Sequence, residues 1–569
     1  PAAFGAAAFE QGVISDFLAE GILPPEKDVH DDFGFASAAM RFDLAIPPST
    51  SREVYVAAPF GITTAHKRLR KLAKADGAVL FDEAVNKMRT RVGEVSFRMP
   101  SGVAREAALT FHTAAGQILI NRDGPALQPG PRRYTRSWIR DGAIMGAALL
   151  RIGDFEALPN FIRWYAPFQR KDGFVPCCVD RNGPDWLVEH DSHGQLIYGV
   201  MESYRFTGDR TFLQDMWPHA HKAATHIEEL CASRLTPEYD IVEKRPCRGL
   251  LPESASHEGY LAHPVHSYWD DFWALRGLKD SVTMASLLGY SQDARHFTEV
   301  ATKLQESLRT SIRMVIADKK LNYVPGSVEW ADFDPTATSN AVTLLQGMAD
   351  LPARELSAMF DTFVHDFRRK HRGEMPWTNY TAYEIRIIGA LVHLGKRAEA
   401  LELLEFFLKD RRPRNWNQWP EISWKNPRSP GHLGDVPHTW IASEYMLVFS
   451  SLFAYEREAD DALIVGAGLD GKWLRAKGGV SVKCLPTWHG NLDLALHQDP
   501  TGVLHVTING KLRQPNGGFV VRPPGEKPIH SFTVNGRSHT PSASAPQEAV
   551  IHEFPAEAAI SFVKTPPVP

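Results

Sequence analysis

Five short segments hold most of the side chains able to do chemistry. YTRSWIRDGAIMG, residues 134–146, sets Arg140 and Asp141 directly after Trp138 and Ile139. EHDSHGQ brings Asp191, His193 and Gln195 together. LLPESASHEGYLAHPVHSYWDDFWALRGLKD, residues 250–280, carries Glu253, Glu258, His266, Tyr268, Trp269 and Asp270. Residues 414–440 gather Trp416, Trp419 and Trp424 around Glu421 and run on to Asp435, His438 and Trp440, and YVPGSVEWADFDPTATSN adds Glu329, Asp332 and Asp334. Two carboxyl groups among indoles suit hydrolysis of a glycosidic bond, where a protonated acid assists the leaving oxygen and a carboxylate activates water or attacks the anomeric carbon. Tryptophan faces stack on sugar rings, and Asp, Glu, Arg and His bind hydroxyls.

Glu253 follows Pro252 in an aromatic loop, where burial disfavours a carboxylate and raises its pKa; Glu258 reads more readily as a solvated loop acid. Asp141 and Asp191 stand at loop-to-helix junctions and can also be N-caps. Asp334, before Pro335, reads as a cap and not as a calcium ligand, because its segment lacks EF-hand spacing. No metal or other cofactor is expected: there is no Gly-rich phosphate loop, GxSxG elbow, HExxH or dinucleotide fingerprint. The five cysteines show no CxxC spacing and are expected to be buried free thiols.

These segments need elements to hold them. Apolar residues recur with helical period over 104–120, 140–151, 155–168, 191–206, 210–233, 266–288, 292–315, 336–349, 353–368, 379–394, 396–409 and 437–456. The twelve segments come in pairs with Gly or Asp at the corners, which predicts a mainly α, six-hairpin (α/α)6 toroid with an inner and an outer ring. In that arrangement the second and fourth helices share the inner ring and open on one mouth. The long loops 169–190, 234–265, 316–335 and 410–436 are expected to be functional. Strand-like runs follow Arg457, predicting a small C-terminal antiparallel β domain over 458–569, where Trp488 packs structurally. Residues 1–60 read as the end of a β-sandwich whose remainder is expected upstream, since a few strands bury too little surface alone. Residues 61–99 read as a linker helix and 100–457 as the toroid.

Of 14 tryptophans none precedes Trp138, and only Trp473 and Trp488 follow Trp440, so indoles concentrate in the toroid. With 43% hydrophobic and 23% charged residues the chain is globular, and a net charge of −4 argues against a nucleic-acid partner. No run is long and apolar enough to span a bilayer. The first residues lack the basic start and apolar run of a signal peptide; a periplasmic or extracellular location is expected from the substrate class.

The chain resembles the six-hairpin glycosidases of the glucoamylase type and related bacterial carbohydrate enzymes. SWIRDGA resembles their W-x-R-D motif, HDSHGQ the Asp and Gln region of the second inner helix, and GLLPESASHEG with HSYWDDFWAL the general-acid loop and the helix after it. The resemblance implies that Arg140 and Asp141 hold hydroxyls of the terminal sugar and that Glu253 is the general acid. The expected activity is exo-acting, inverting hydrolysis of an oligo- or polysaccharide. Glu421 serves as base, and Arg140, Asp141, Asp191, Gln195, Trp269, His266, Trp419 and His438 line the subsite. The alternative is a polysaccharide lyase acting on a uronate through His257, His263, His266, Tyr268 and Arg276.

Overall fold

The computed structural model describes residues 3–32, 34–56, 74–429, 431–525 and 527–563. All twelve expected helices form: α1 (Val103–Asn121), α2 (Ile139–Leu150), α3 (Ala157–Tyr165), α4 (Asp191–Thr207), α5 (Arg210–Ala232), α6 (Tyr268–Leu288), α7 (Ser291–Lys319), α8 (Pro335–Val342), α9 (Ala353–His371), α10 (Arg386–His393), α11 (Arg397–Lys409) and α12 (Thr439–Phe453). The even-numbered helices pack as a closed ring, α2 on α4, α4 on α6, and so on to α12 on α2, while the odd-numbered ones pack outside them. This is the (α/α)6 toroid.

Patterning follows the ring. Every residue of α2 is buried, as expected of a helix surrounded on all sides. Outer α9 buries only the stripe Leu356, Met359, Phe360, Phe363, Val364 and Phe367. Glycines allow the inner helices to touch. A Cβ on Gly194 of α4 would stand 2.1 Å from the carbonyl oxygen of Trp273 in α6, and one on Gly277 would stand 2.9 Å from the Gly194 Cα.

Seven strands form an antiparallel sheet: β1 (Ser96–Arg98), β2 (Val480–Thr487), β3 (Gly490–Gln498), β4 (Leu504–Leu512), β5 (Ile529–Val534), β6 (Arg537–His539) and β7 (Ala556–Phe562), in the order β6-β5-β7-β4-β3-β2-β1. A second, four-stranded sheet contains Ala462–Val465 paired parallel to Phe519–Val521, so the C-terminal region is not antiparallel throughout. Arg397 of α11 donates to the carbonyls of Ala467 at 2.6 Å, Pro523 at 2.6 Å and Arg522 at 2.7 Å, tying toroid to sheets. Trp488 packs under the Arg205 guanidinium, 4.6 Å from its ring centroid, in keeping with a structural role.

Several boundaries differ from the sequence reading. Residues 379–381 are a strand, Asn379–Thr381, because Ile422–Trp424 supplies its backbone partner. The 336–349 segment stops at Val342, where Gln346 turns with φ 56° and the Gly347 N–H donates to the Ala341 carbonyl. Within 61–99 the helix is Gly77–Val92, and Ser96–Arg98 leaves the linker to pair with β2; residues 61–73 of the expected linker, with 57–60 before it, lie outside the described residues. Residues Pro1–Lys87 form a unit apart from Met88–Pro569. In the first unit the strands found among the described residues are Ala3–Ala7 and Ser37–Arg41, paired antiparallel, so the expected sandwich end is a two-stranded ribbon there. Four cysteines are buried free thiols, but Cys484 is exposed at a left-handed position, φ 55°, where the register of β2 shifts.

The Gly194 contact is with backbone, which cannot swing aside. Gly194→Ala should lower the free energy of unfolding by about 3 kcal/mol or more, at or above the top of the overpacking range; a denaturant titration that leaves the midpoint unchanged would disprove the close approach.

Candidate active site

The inner helices begin at one mouth, and each of five contributes side chains there. A cavity of about 340 Å³ is lined by Trp138, Arg140 and Asp141 at the start of α2, Trp269 of α6, Thr336 and Ala337 of α8, Tyr383 and Arg386 at α10, and His438 and Trp440 at α12, with Tyr134, His257, Glu258 and Glu421 from loops.

Its floor is a buried cation. Arg140, 3% exposed, meets Glu189 at 2.8 Å, Asp191 at 3.4 Å and Asp141 at 3.8 Å, and its guanidinium lies 5.2 Å from the Trp440 ring. Burial works against this charge, and the Glu189 and Asp191 carboxylates outweigh it and hold the guanidinium protonated. Asp191 Oδ2 also accepts from Gln195 Nε2 at 2.8 Å and from Trp269 Nε1 at 2.7 Å, which fixes the indole. Asp191 and Gln195 therefore act beneath the cavity wall; neither borders the cavity. Neither Asp141 nor Asp191 caps its helix: the caps are Trp138 and His190. Asp334 does cap α8, accepting from the N–H groups of Thr336 and Ala337.

Burial, opposed by Arg140 and reinforced by Glu258 and Glu421, pushes the Asp141 carboxyl up to about 8. At neutral pH it is a proton donor in a cavity that Glu258 and Glu421 also line. Glu421 accepts from Tyr134 Oη at 2.5 Å and from Tyr383 Oη at 3.2 Å, so each of its oxygens has a phenol donor. His438 Nδ1 accepts from the Ile441 N–H at 3.4 Å, which leaves the ring proton on Nε2, 3.9 Å from Glu421. Burial lowers this imidazole to about 4, so it is neutral there.

Glu258 sits opposite in sequence terms, on the loop before α6, and accepts from Trp138 Nε1 at 2.7 Å. Its backbone is left-handed, φ 63°, as is that of Ser256, φ 52°; such positions persist when their surroundings over-determine them. The surroundings are explicit. Ser254 and Ser256 donate to Asp270 at 2.5 and 2.7 Å, Ala255 N–H donates to the Val188 carbonyl at 3.0 Å, and Leu251 N–H donates to Asp271 at 3.0 Å.

Glu253 is not in this site. It is 45% exposed, paired with Arg234 at 2.6 Å, and lines a different cavity. Burial would raise its carboxyl, but hydrogen bonds, Arg234 and His266 outweigh that and lower it, the reverse of the sequence expectation. His266 lies with it, 2.6 Å from Glu329. Trp419 is buried, donating to the Phe407 carbonyl at 2.8 Å, and neither it, Trp416 nor Trp424 borders the active-site cavity. The indoles that do so, Trp138, Trp269 and Trp440, come from helix starts. Tyr383 and Arg386 were missed from sequence; the alternation of inner and outer helices, extended to the tenth, was the signal that would have found them. Of the residues a lyase would recruit, only His257 borders the cavity. Tyr268 bonds Ser311 at 2.8 Å, and Arg276 pairs with Glu458 at 2.5 Å.

No protein-family model matches the chain. Solved structures with this fold include the α-L-rhamnosidase of Dictyoglumus thermophilum, TM-score 0.55 at 11% identity over 82% of this chain and 50% of that one. The Streptomyces avermitilis α-L-rhamnosidase complexed with L-rhamnose gives 0.54 at 13% identity over 83% and 42%. The chain shares its fold with α-L-rhamnosidases. It spans half of those proteins' length or less. An uncharacterised glycosyl hydrolase of Methanocaldococcus jannaschii is 31% identical over 135 residues, 22% of this chain and 21% of that protein.

Asp141 supplies a test of the site's electrostatics. Between the usual carboxylate range and about 8 the unfolded chain has lost this proton while the folded chain keeps it, so folded stability attributable to it falls as pH rises, by up to about 1.4 kcal/mol per pH unit for one proton. Unfolding free energies measured for the wild type minus Asp141→Asn should therefore decline from about pH 5 to 8 and level off above; a flat difference would mean an ordinary carboxylate.

Proposed function

We propose that the chain is an exo-acting, inverting glycoside hydrolase with Glu258 as general acid and Glu421 as general base. The observation that carries this reading is that these two carboxyl groups border one cavity whose floor is a fixed array of Arg140, Asp141 and Trp269. Glu258 replaces Glu253 in the acid role; both belong to the loop that resembles the general-acid loop of six-hairpin glycosidases.

The roles follow from the partners. Glu421, held by two phenols beside a neutral His438, keeps an acceptor pointed at the cavity, as a base for water must. Glu258 has one indole donor on Oε1, leaving its other oxygen to carry the proton to the leaving group. Neutral Asp141 and cationic Arg140 donate to hydroxyls of the terminal ring. A cavity near the lower end of the roughly 300–1,000 Å³ usual for small-molecule sites takes a sugar or two and not a length of polymer, which supports exo action. The fold neighbours make an α-L-rhamnoside the first substrate to try in a panel of aryl glycosides and oligosaccharides.

Glu258→Gln and Glu421→Gln should each lower kcat by about 10²–10⁴-fold with the fold intact, whereas Glu253→Gln should retain most activity. Full activity in Glu258→Gln, or its loss in Glu253→Gln, would return the acid role to Glu253. Proton NMR of the first-formed product should show inverted anomeric configuration. A product absorbing in the near ultraviolet would instead mark an elimination.

A further inference from the structure

A second cavity, about 580 Å³, is lined among others by Cys247, Glu253, His266 and Glu329, none of which borders the active-site cavity. One donor atom from each of Cys247, His266 and Glu329 lies within 4.8 Å of the other two. Cys247 and His266 are buried, 7% and 3% exposed, and Glu329 is exposed at the rim.

The imidazole is in an unusual position. His266 Nδ1 meets Glu329 Oε1 at 2.6 Å, and the His266 backbone N–H donates to Glu329 Oε2 at 2.9 Å. Nε2 is buried, makes no hydrogen bond and faces Glu253 Oε2 at 3.7 Å. A neutral ring that donates Nδ1–H to Glu329 turns its Nε2 lone pair toward a carboxylate, which is repulsive. A cation bound at Nδ1 in place of that proton leaves the ring protonated at Nε2, where Glu253 is set to accept it. That is the carboxylate–histidine–metal arrangement seen around bound metals. Glu253 is already held by Arg234, which suits this outer place better than direct ligation.

We propose that Cys247 Sγ, His266 Nδ1 and a Glu329 oxygen bind one Zn²⁺-class cation, with Glu253 as the outer partner of His266 and water from the open cavity in the fourth position. Sulfur, imidazole and carboxylate together select zinc-like ions over magnesium or calcium. On binding, the thiol proton leaves to solvent and the ring proton stands on Nε2. With zinc ligand distances of about 2.0–2.3 Å the 2.6 Å contact between His266 Nδ1 and Glu329 Oε1 must open to admit the ion while the thiol closes in, and the exposed Glu329 is free to move. The three ligands come from separate segments, and His266 follows directly on Val265, which pairs with Ser254 at the base of the Glu258 loop. The cation therefore staples that loop.

The test is metal binding by the whole chain after chelator treatment, with Zn²⁺ titrated by calorimetry and Co²⁺ followed by absorption. One Zn²⁺ per chain is expected. Co²⁺ should give a thiolate charge-transfer band and intense tetrahedral d–d bands, both lost in Cys247→Ser and kept in the Cys177→Ser/Cys178→Ser double variant. Glu329→Gln, at an exposed position that spares folding, should weaken Zn²⁺ binding by about 10–100-fold or more. Failure to bind Zn²⁺, binding unchanged in Glu329→Gln, or a Co²⁺ signal that survives in Cys247→Ser would overturn the proposal. In the first case Glu329 and Glu253 hold His266 by themselves.

Discussion

The buried guanidinium of Arg140 is the constraint on which the mouth of the toroid depends. A cation removed from water is tolerated only when paired and hydrogen-bonded, and Glu189 and Asp191 supply that pairing. Asp191 then has an oxygen committed to Arg140, Gln195 and Trp269 at once, so one indole of the cavity wall is positioned by the charge beneath it. A second buried pair, Arg386 with Glu444 at 2.7 Å, does the same for Trp440, whose Nε1 donates to Glu444 at 2.9 Å. The two guanidinium groups lie 5.2 and 5.3 Å from the Trp440 ring. Charge and aromatic surface thus hold each other in place, and the floor of the cavity is rigid because moving any member would strand another.

Crowding of acids at this mouth has a backbone reason as well. Inner helices present their first turns toward it, where unpaired N–H groups give a partial positive charge that favours carboxylates. Asp141, Asp191, Asp270 and Asp271 all occupy first turns. Their jobs differ. Asp141 borders the cavity and keeps a proton, Asp191 anchors Trp269, and Asp270 with Asp271 grips the loop 251–256 so that Glu258 emerges in a left-handed conformation facing the Trp138 indole. Glu421 is delivered differently, by the short ribbon of Asn379–Thr381 and Ile422–Trp424, which also sets Tyr383 against it.

What was legible in sequence and what was not divides along this line. Arg140, Asp141, Trp269 and His438 were legible because each sits at or near a helix start whose period is strong, and Glu421 because three tryptophans crowd its loop. Glu253 and Glu258 share one loop, and nothing in residue type separates them; the choice turns on Arg234, which captures Glu253, and on Trp138, which receives Glu258. Trp419 looked like a sugar platform because it lies two residues before Glu421, but it stands outside the Ile422–Trp424 strand, and its indole goes into the core, donating to the Phe407 carbonyl and packing against Tyr445.

By itself the sequence determined twelve helices, their pairing and the trailing strands, because apolar periodicity and cap residues are local and survive being read in one dimension. Only the tertiary structure decided which acid faces the cavity, which indoles wall it, and that strand Ser96–Arg98 belongs to the C-terminal sheet nearly 400 residues away. Those outcomes depend on pairings between distant segments, a guanidinium meeting one carboxylate in preference to another or a strand finding its edge, and no local pattern records them.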